Sequence, residues 1–122
     1  MLFQMNQQIL ICQRLYMSRF MRIIVMFDLP VITEKERKIA NKFRKYLIDD
    51  GFIMMQFSVY SRICKNNDDL NKHIKRLKIN TPKNGNVRLL QITENQYSNM
   101  IMFSGRKKME EEFSIENLLI FE

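Results

Sequence analysis

The chain is poor in the residues that small domains use as staples. It has one histidine and two cysteines among 122 residues. Cys12 and Cys64 form neither a CxxC pair nor a disulfide framework. That argues against a structural zinc centre, which needs four clustered ligands, and implies reduced thiols in a cytoplasm. No apolar run approaches the roughly 20 residues that a membrane-spanning helix needs, so a spanning protein is excluded. The short run Ile9-Leu10-Ile11 has no basic segment before it and no small-residue cleavage site after it, unlike a signal peptide. Glycine and proline number only three and two, and they stand at boundaries: Pro30, Gly51, Pro82, Gly85 and Gly105.

What is present belongs to one globular domain, large enough for a single core but not two. The formal charge of +7 points to a polyanionic partner, without separating nucleic acid from an anionic membrane surface. The organising stretch is Met21-Arg22-Ile23-Ile24-Val25-Met26-Phe27-Asp28-Leu29-Pro30. A continuous apolar run ended by a breaker predicts a strand buried on both faces. Asp28 then stands where the strand leaves the sheet, as a solvated strand end or as a ligand for a cation.

A helix follows. Thr33-Glu34-Lys35-Glu36 has the pattern of a capping box, Ile39, Phe43 and Leu47 form a stripe with Ala40 and Tyr46 beside them, and Gly51 supplies the stop. Its other faces carry Lys35, Arg37, Lys38, Lys42, Arg44 and Lys45. The stretch from Phe52 to Cys64 is too long for one ordinary strand, and a bend near Gln56-Phe57-Ser58 divides it in two. Met55, Phe57 and Val59 are expected on one face, with Met54, Gln56, Ser58 and Tyr60 on the other. Gln56 and Ser58, in apolar company, need hydrogen-bond partners and read as structural.

Asn66-Asn67-Asp68-Asp69 opens a second helix with the stripe Leu70, Ile74 and Leu77, and His73 borders that stripe as a half-buried surface residue. Thr81 to Asn86 is a turn cluster, and Val87 to Ile92 is the next strand. Thr93-Glu94-Asn95-Gln96 caps a short helix. A polar connector then leads to a final apolar strand, Ile115 to Phe121, cut off from its own core and suited to pairing with another subunit's sheet edge. The order is that of an α+β, ferredoxin-like βαββαβ domain over 17–103, with an extension at 1–16 outside the fold and a connector and dimerisation strand at 104–122. RNA-recognition modules share this order, so the order alone decides little about function.

Several dispersed motifs resemble one family. Met26 to Pro30, Glu36-Arg37-Lys38, Lys42 to Lys45, Gly51 to Met54, Gln56 to Ser61, Arg76-Leu77-Lys78 and Thr93-Glu94 are similar in order and spacing to the CRISPR-associated protein 2 family, in its type II-A form. The resemblance runs closely from about Met17 to Ile101, and it implies that residues 1–16 are an early-start or private extension. It further implies a homodimer whose terminal strands complete each other's sheets. Such a dimer binds double-stranded DNA and bridges dimers of the CRISPR integrase (CRISPR-associated protein 1) during spacer acquisition. Metal-dependent endonuclease activity on single-stranded RNA or double-stranded DNA is also implied, with Asp28 as the catalytic and metal-binding residue and Mg²⁺ as the cofactor.

Because a hard cation at a phosphodiester takes one or two protein carboxylates, two Asp28 side chains meeting across a twofold axis make the credible site. The phosphate-binding candidates are Arg19, Arg22, Lys35, Arg37 and Lys38, with Gln56, Ser58 and Tyr60 as structural neighbours. A non-catalytic scaffold is the second reading. A ferredoxin-like RNA-binding module is the third, and it lacks the aromatic consensus on a central strand. If the terminal strand makes the dimer, truncation after Glu112 yields aggregated or unfolded chain by size-exclusion chromatography. A well-behaved monomer contradicts it.

Overall fold

The computed structural model describes residues 20–105. Arg19, the 1–16 extension and the expected terminal strand at 115–121 lie outside the described residues. The elements are β1 (Met21–Asp28), α1 (Glu34–Asp49), β2 (Ile53–Gln56), β3 (Val59–Cys64), α2 (Asn67–Asn80), β4 (Asn86–Thr93) and α3 (Glu94–Ser98). The sheet order is β2-β3-β1-β4, and all three pairings are antiparallel. This is the expected ferredoxin-like arrangement: α1 carries the chain from β1 to β2, and α2 from β3 to β4, each time to a strand that is not the neighbour of the one it left.

The central strand is hydrogen-bonded on both sides. Met21 to Met26 pair with Cys64 to Val59 on β3, and Met21 to Asp28 pair with Thr93 to Asn86 on β4. Its alternate residues Ile23, Val25 and Phe27 enter one core with Ala40, Phe43 and Leu47 of α1 and Leu70 and Leu77 of α2. The Phe27 ring meets Phe43 edge-on at 5.1 Å and stacks on Tyr60 at 5.7 Å, an arrangement favoured by the ring quadrupoles. The other set, Arg22, Ile24, Met26 and Asp28, faces the opposite side. There Met26 and Leu90, paired respectively with Arg88 and Ile24, are exposed. The expectation of burial on both faces therefore holds for Ile24 but fails toward Asp28, where the sheet is open, as antiparallel sheets permit.

Local chemistry sets the element ends. The Thr33 hydroxyl accepts from the Glu36 amide and the Glu36 carboxylate accepts from the Thr33 amide, both at 3.1 Å, and Thr93 and Gln96 make the same reciprocal pair. On α1 the buried places go to Ala40, Phe43 and Leu47, while Ile39 lies mostly outside. The bend expected near residues 56–58 is a tight hairpin in which Ser58 adopts a left-handed φ of 64°. A register shift between Met54 and Gln56 accompanies it, so the strict alternation expected across this segment breaks down. Gln56 is exposed to water, and Phe57 leaves the sheet face altogether.

His73 departs most from its sequence reading. It is fully buried rather than half-exposed, and it joins the two helices. Its Nδ1 lies 2.7 Å from Asp50 Oδ2, and Arg62 Nε donates to its Nε2 at 2.8 Å. Asp69 approaches the same Nε2 at 3.2 Å. Arginine can only donate, so Nε2 is the acceptor and Nδ1 carries the proton given to Asp50. Arg76 adds a second bond to Asp50 at 2.8 Å. Partial burial opposes ionisation of Asp50, but the bonds from His73 and Arg76 outweigh it and hold its carboxyl below the ordinary value. Asp69 is likewise held low against its own burial, chiefly by the Lys65 amide. Carboxyls held low in the folded state stabilise it above their unfolded value of about 3.9, and that stability disappears as pH falls through the folded values. Asp50→Asn is expected to lower stability at neutral pH by about 2–3 kcal/mol and to flatten the acid limb below about pH 4, both read by urea unfolding against pH.

Candidate nucleic-acid and metal site at the end of the central strand

Asp28 ends β1 and is exposed. It lines an open hollow with Met26, Phe27, Asn86 and Arg88. Two backbone features hold it there. The amide of Phe27 donates to the Ser58 carbonyl at 3.1 Å, tying β1 to the hairpin tip after its ladder with β3 has ended at Met26–Val59. On the other side Gly85 turns into β4 with φ of +96°, and a Cβ there would stand 2.6 Å from the Asp28 carbonyl oxygen and 2.9 Å from Leu29 Cδ2. Only glycine combines that conformation with such a close approach.

The other sequence-derived candidates differ in what they do. Lys35 and Lys38 are exposed on the first turns of α1, and Lys38 makes only a loose pair with Glu34 at 3.7 Å, of little energetic weight in water. Arg37 is exposed but engaged: its guanidinium donates to the carbonyls of Val31 and Ile32 at 3.2 and 2.8 Å, bracing the loop that follows Asp28. Ser58 and Tyr60 are structural, the first through its backbone carbonyl and the second through the Phe27 ring. Gln56 lies at the solvent-facing end of β2.

Arg22 is a correction. It is 1% exposed, with Nε and Nη2 donating to the two carboxylate oxygens of Glu94 at 2.8 and 2.6 Å. Its guanidinium also lies 3.7 Å from the centre of the Tyr97 ring. A bidentate buried pair of this kind is structural, since withdrawing either charge would strand the other. Arg22 has no guanidinium edge left for a phosphate.

Three residues near Asp28 were not singled out as site residues by sequence reasoning. Arg88 shares its hollow, and its exposure follows from the even-numbered alternation of β4 once the register with β1 is known. Arg44 lies over the rings of Phe27 and Phe57 at 5.7 and 4.9 Å. Phe57 itself stands at the hairpin tip, 78% exposed.

Among the described residues no three His, Cys, Asp or Glu side chains converge to hold a metal ion. The donor at the strand end is hard oxygen, the type that Mg²⁺ selects, but one chain supplies one carboxylate. Cys64 offers no alternative chemistry, being buried with its thiol pushed up to about 11 by that burial.

The family model described as CRISPR associated protein Cas2 matches residues 21–100. A Flavobacterium psychrophilum protein named CRISPR-associated endoribonuclease Cas2 is 44% identical over 88% of this chain and 94% of its own length. A Streptococcus mutans protein of the same name is 52% identical over 71% of this chain and 80% of its own. A solved structure titled "Crystal structure of cas2" superposes with a TM-score of 0.52 at 22% identity, covering 74% of this chain and 92% of that one, which bears on the fold alone.

Gly85→Ala is expected to displace the Asp28 end of β1 and to lower stability by roughly 1–3 kcal/mol through the strained φ and the backbone contact. Amide chemical shifts should move at Asp28 and Leu29 while those of α2 stay in place. Unchanged shifts at Asp28 contradict the contact.

Proposed function

Because the chain belongs to the CRISPR associated protein Cas2 family, we propose that it acts in the cytoplasm as a homodimer in spacer acquisition, holding double-stranded DNA between integrase dimers. Two Asp28 carboxylates facing across the twofold axis bind one Mg²⁺ for phosphodiester hydrolysis. The observation that carries the reading is the exposed Asp28 at the end of the central strand, in one hollow with Arg88.

The dimer reading rests on the sheet edge. β4 is the outermost strand of the order, and an apolar hollow lined by Ile74, Leu77, Val87 and Leu89 runs between it and α2. An unpaired edge beside apolar surface suits an added strand, and the apolar segment Ile115 to Phe121 has the matching composition. The phosphate-binding reading rests on Lys35, Lys38 and Arg88, which are exposed. Arg19 adds a further cation by sequence. Among the described residues no helix is long and apolar enough to cross a membrane, and membership of the Cas2 family supports nucleic acid as the polyanion this surface fits.

When bound, the Mg²⁺ ion supplies charge stabilisation at the phosphate oxygens and a water of lowered pKa. The chain's own groups bind and orient. Asp28 holds hard oxygen at the strand end, Arg88 neutralises phosphate in the same hollow, and Arg37 keeps the loop beyond Pro30 clear by bonding its carbonyls. A histidine base is absent from this rim among the described residues, because His73 is buried with Asp50 and Arg62.

Asp28→Asn keeps the shape of the side chain and removes the charge a hard cation needs. It is expected to abolish Mg²⁺-dependent cleavage, leave the dimer intact by size-exclusion chromatography, and leave metal-free DNA affinity equal or slightly tighter. Retained integration activity with the partner integrase in the same variant would separate the scaffold from the nuclease. Cleavage that survives unchanged removes Asp28 as the metal ligand.

A further inference from the structure

Phe57 is a large aromatic side chain left in water at the tip of the β2–β3 hairpin, 78% exposed. Nothing in the packing of the core requires an aromatic there, because Phe27, Phe43 and Tyr60 already fill the space beneath the tip. The tip is nonetheless firmly built. Ser58 takes the left-handed conformation that closes the turn, and its carbonyl is fixed by the Phe27 amide. The Phe57 ring shares Arg44 of α1 with the Phe27 ring, which faces the helices.

The ring is also charged on one side. Arg44 Cζ lies 4.9 Å from the Phe57 centroid and 5.7 Å from that of Phe27. Among the described residues its Nε is buried without a hydrogen-bond partner, and its Nη1 donates to Asn41 Oδ1, a neutral acceptor, at 3.3 Å. Among these residues the guanidinium is thus held by the rings and not neutralised by a carboxylate. A half-free aromatic face backed by an arginine is the recognition element of single-stranded nucleic acid, where a base stacks on the ring and the cation adds attraction for the phosphate. A duplex buries its base faces and cannot use it.

We infer that Phe57, backed by Arg44, is a stacking platform for one unpaired base of a single-stranded nucleic acid, with Arg44 attracting the neighbouring phosphate. The inference goes beyond the proposed function, which assigns no role to this hairpin tip. Stacking itself needs no metal.

The test measures fluorescence anisotropy of a labelled oligodeoxyadenylate, single-stranded or annealed to oligodeoxythymidylate, with the full chain in buffer containing EDTA. Phe57→Ala is expected to weaken single-strand binding about 5- to 100-fold while duplex binding changes less than about twofold. Phe57→Tyr, which keeps the ring, should retain single-strand affinity. Because Phe57 is exposed, the thermal midpoint of both variants should match that of the wild type. Equal losses on single strand and duplex, or no loss on the single strand, overturn the platform. Asp28→Asn in the same assay separates the two readings: single-strand binding that still depends on Phe57 while Mg²⁺-dependent cleavage persists in Asp28→Asn leaves the platform standing and removes the metal site.

Discussion

The structure depends on the central position of β1. Its backbone is paired along its length to β4 and along most of it to β3, so no residue in its middle can move without breaking two ladders. One face is committed to the helices through Ile23, Val25 and Phe27. Chemistry is then confined to the strand's ends. At the beginning, Arg22 is locked to Glu94 and lies against Tyr97, anchoring α3 and the last turn of the domain. At the other end Asp28 emerges into solvent, held between the Ser58 carbonyl and the close approach of Gly85. An exposed carboxylate on so rigid a mount is a precise place to fix a cation, because the surrounding backbone has no freedom to relax around it.

The same rigidity explains the cluster around His73. The two helices cross the sheet side by side, and the end of α1 must stop before β2 begins. Gly51, with φ of +89°, makes that turn, and a Cβ there would stand 2.0 Å from Arg62 Nη1. Arg62, His73, Asp50 and Arg76 then link β3, α2 and the cap of α1 in one hydrogen-bonded chain. Tyr46 joins its edge, its hydroxyl pushed up to about 12 by burial and by the Asp50 charge. Such a network is strong only while all members are present. It sits at the far end of α1 from Thr33, which leaves the first turn, with Lys35 and Lys38, free for a ligand.

The fold was legible in the sequence because its signals are local. The capping residues Thr33 and Thr93, the stop at Gly51 and the apolar runs act within a few positions of themselves, and each produced the expected boundary. The strand order followed from the alternation of those elements. The errors lie where the deciding partner is distant. Arg22 reads as a free cation beside a strand until Glu94, 72 positions away, is brought to it. His73 reads as a surface residue until Asp50 and Arg62 arrive from other elements. Phe57 reads as a strand residue sharing a face with Met55 and Val59, and the register shift at the hairpin breaks that alternation and leaves it in water. Asp28 was legible because a carboxylate after Met26-Phe27 has no packing role, but its neighbour Arg88 required the β1–β4 register.

Function divides along the same line. The family follows from sequence likeness across residues 21–100, while the chemistry depends on how many carboxylates reach one ion. In the proposed reading a single Asp28 would be too little for a hard cation that prefers six oxygen ligands, and two related by a twofold axis would hold it together with phosphate oxygens and water. The measurement that tests this most directly is calorimetric titration of the 122-residue chain with Mg²⁺. The account predicts one ion bound for every two chains, with the binding heat lost in Asp28→Asn. One ion per chain, or binding that persists without the Asp28 charge, would contradict a shared site at the end of the central strand.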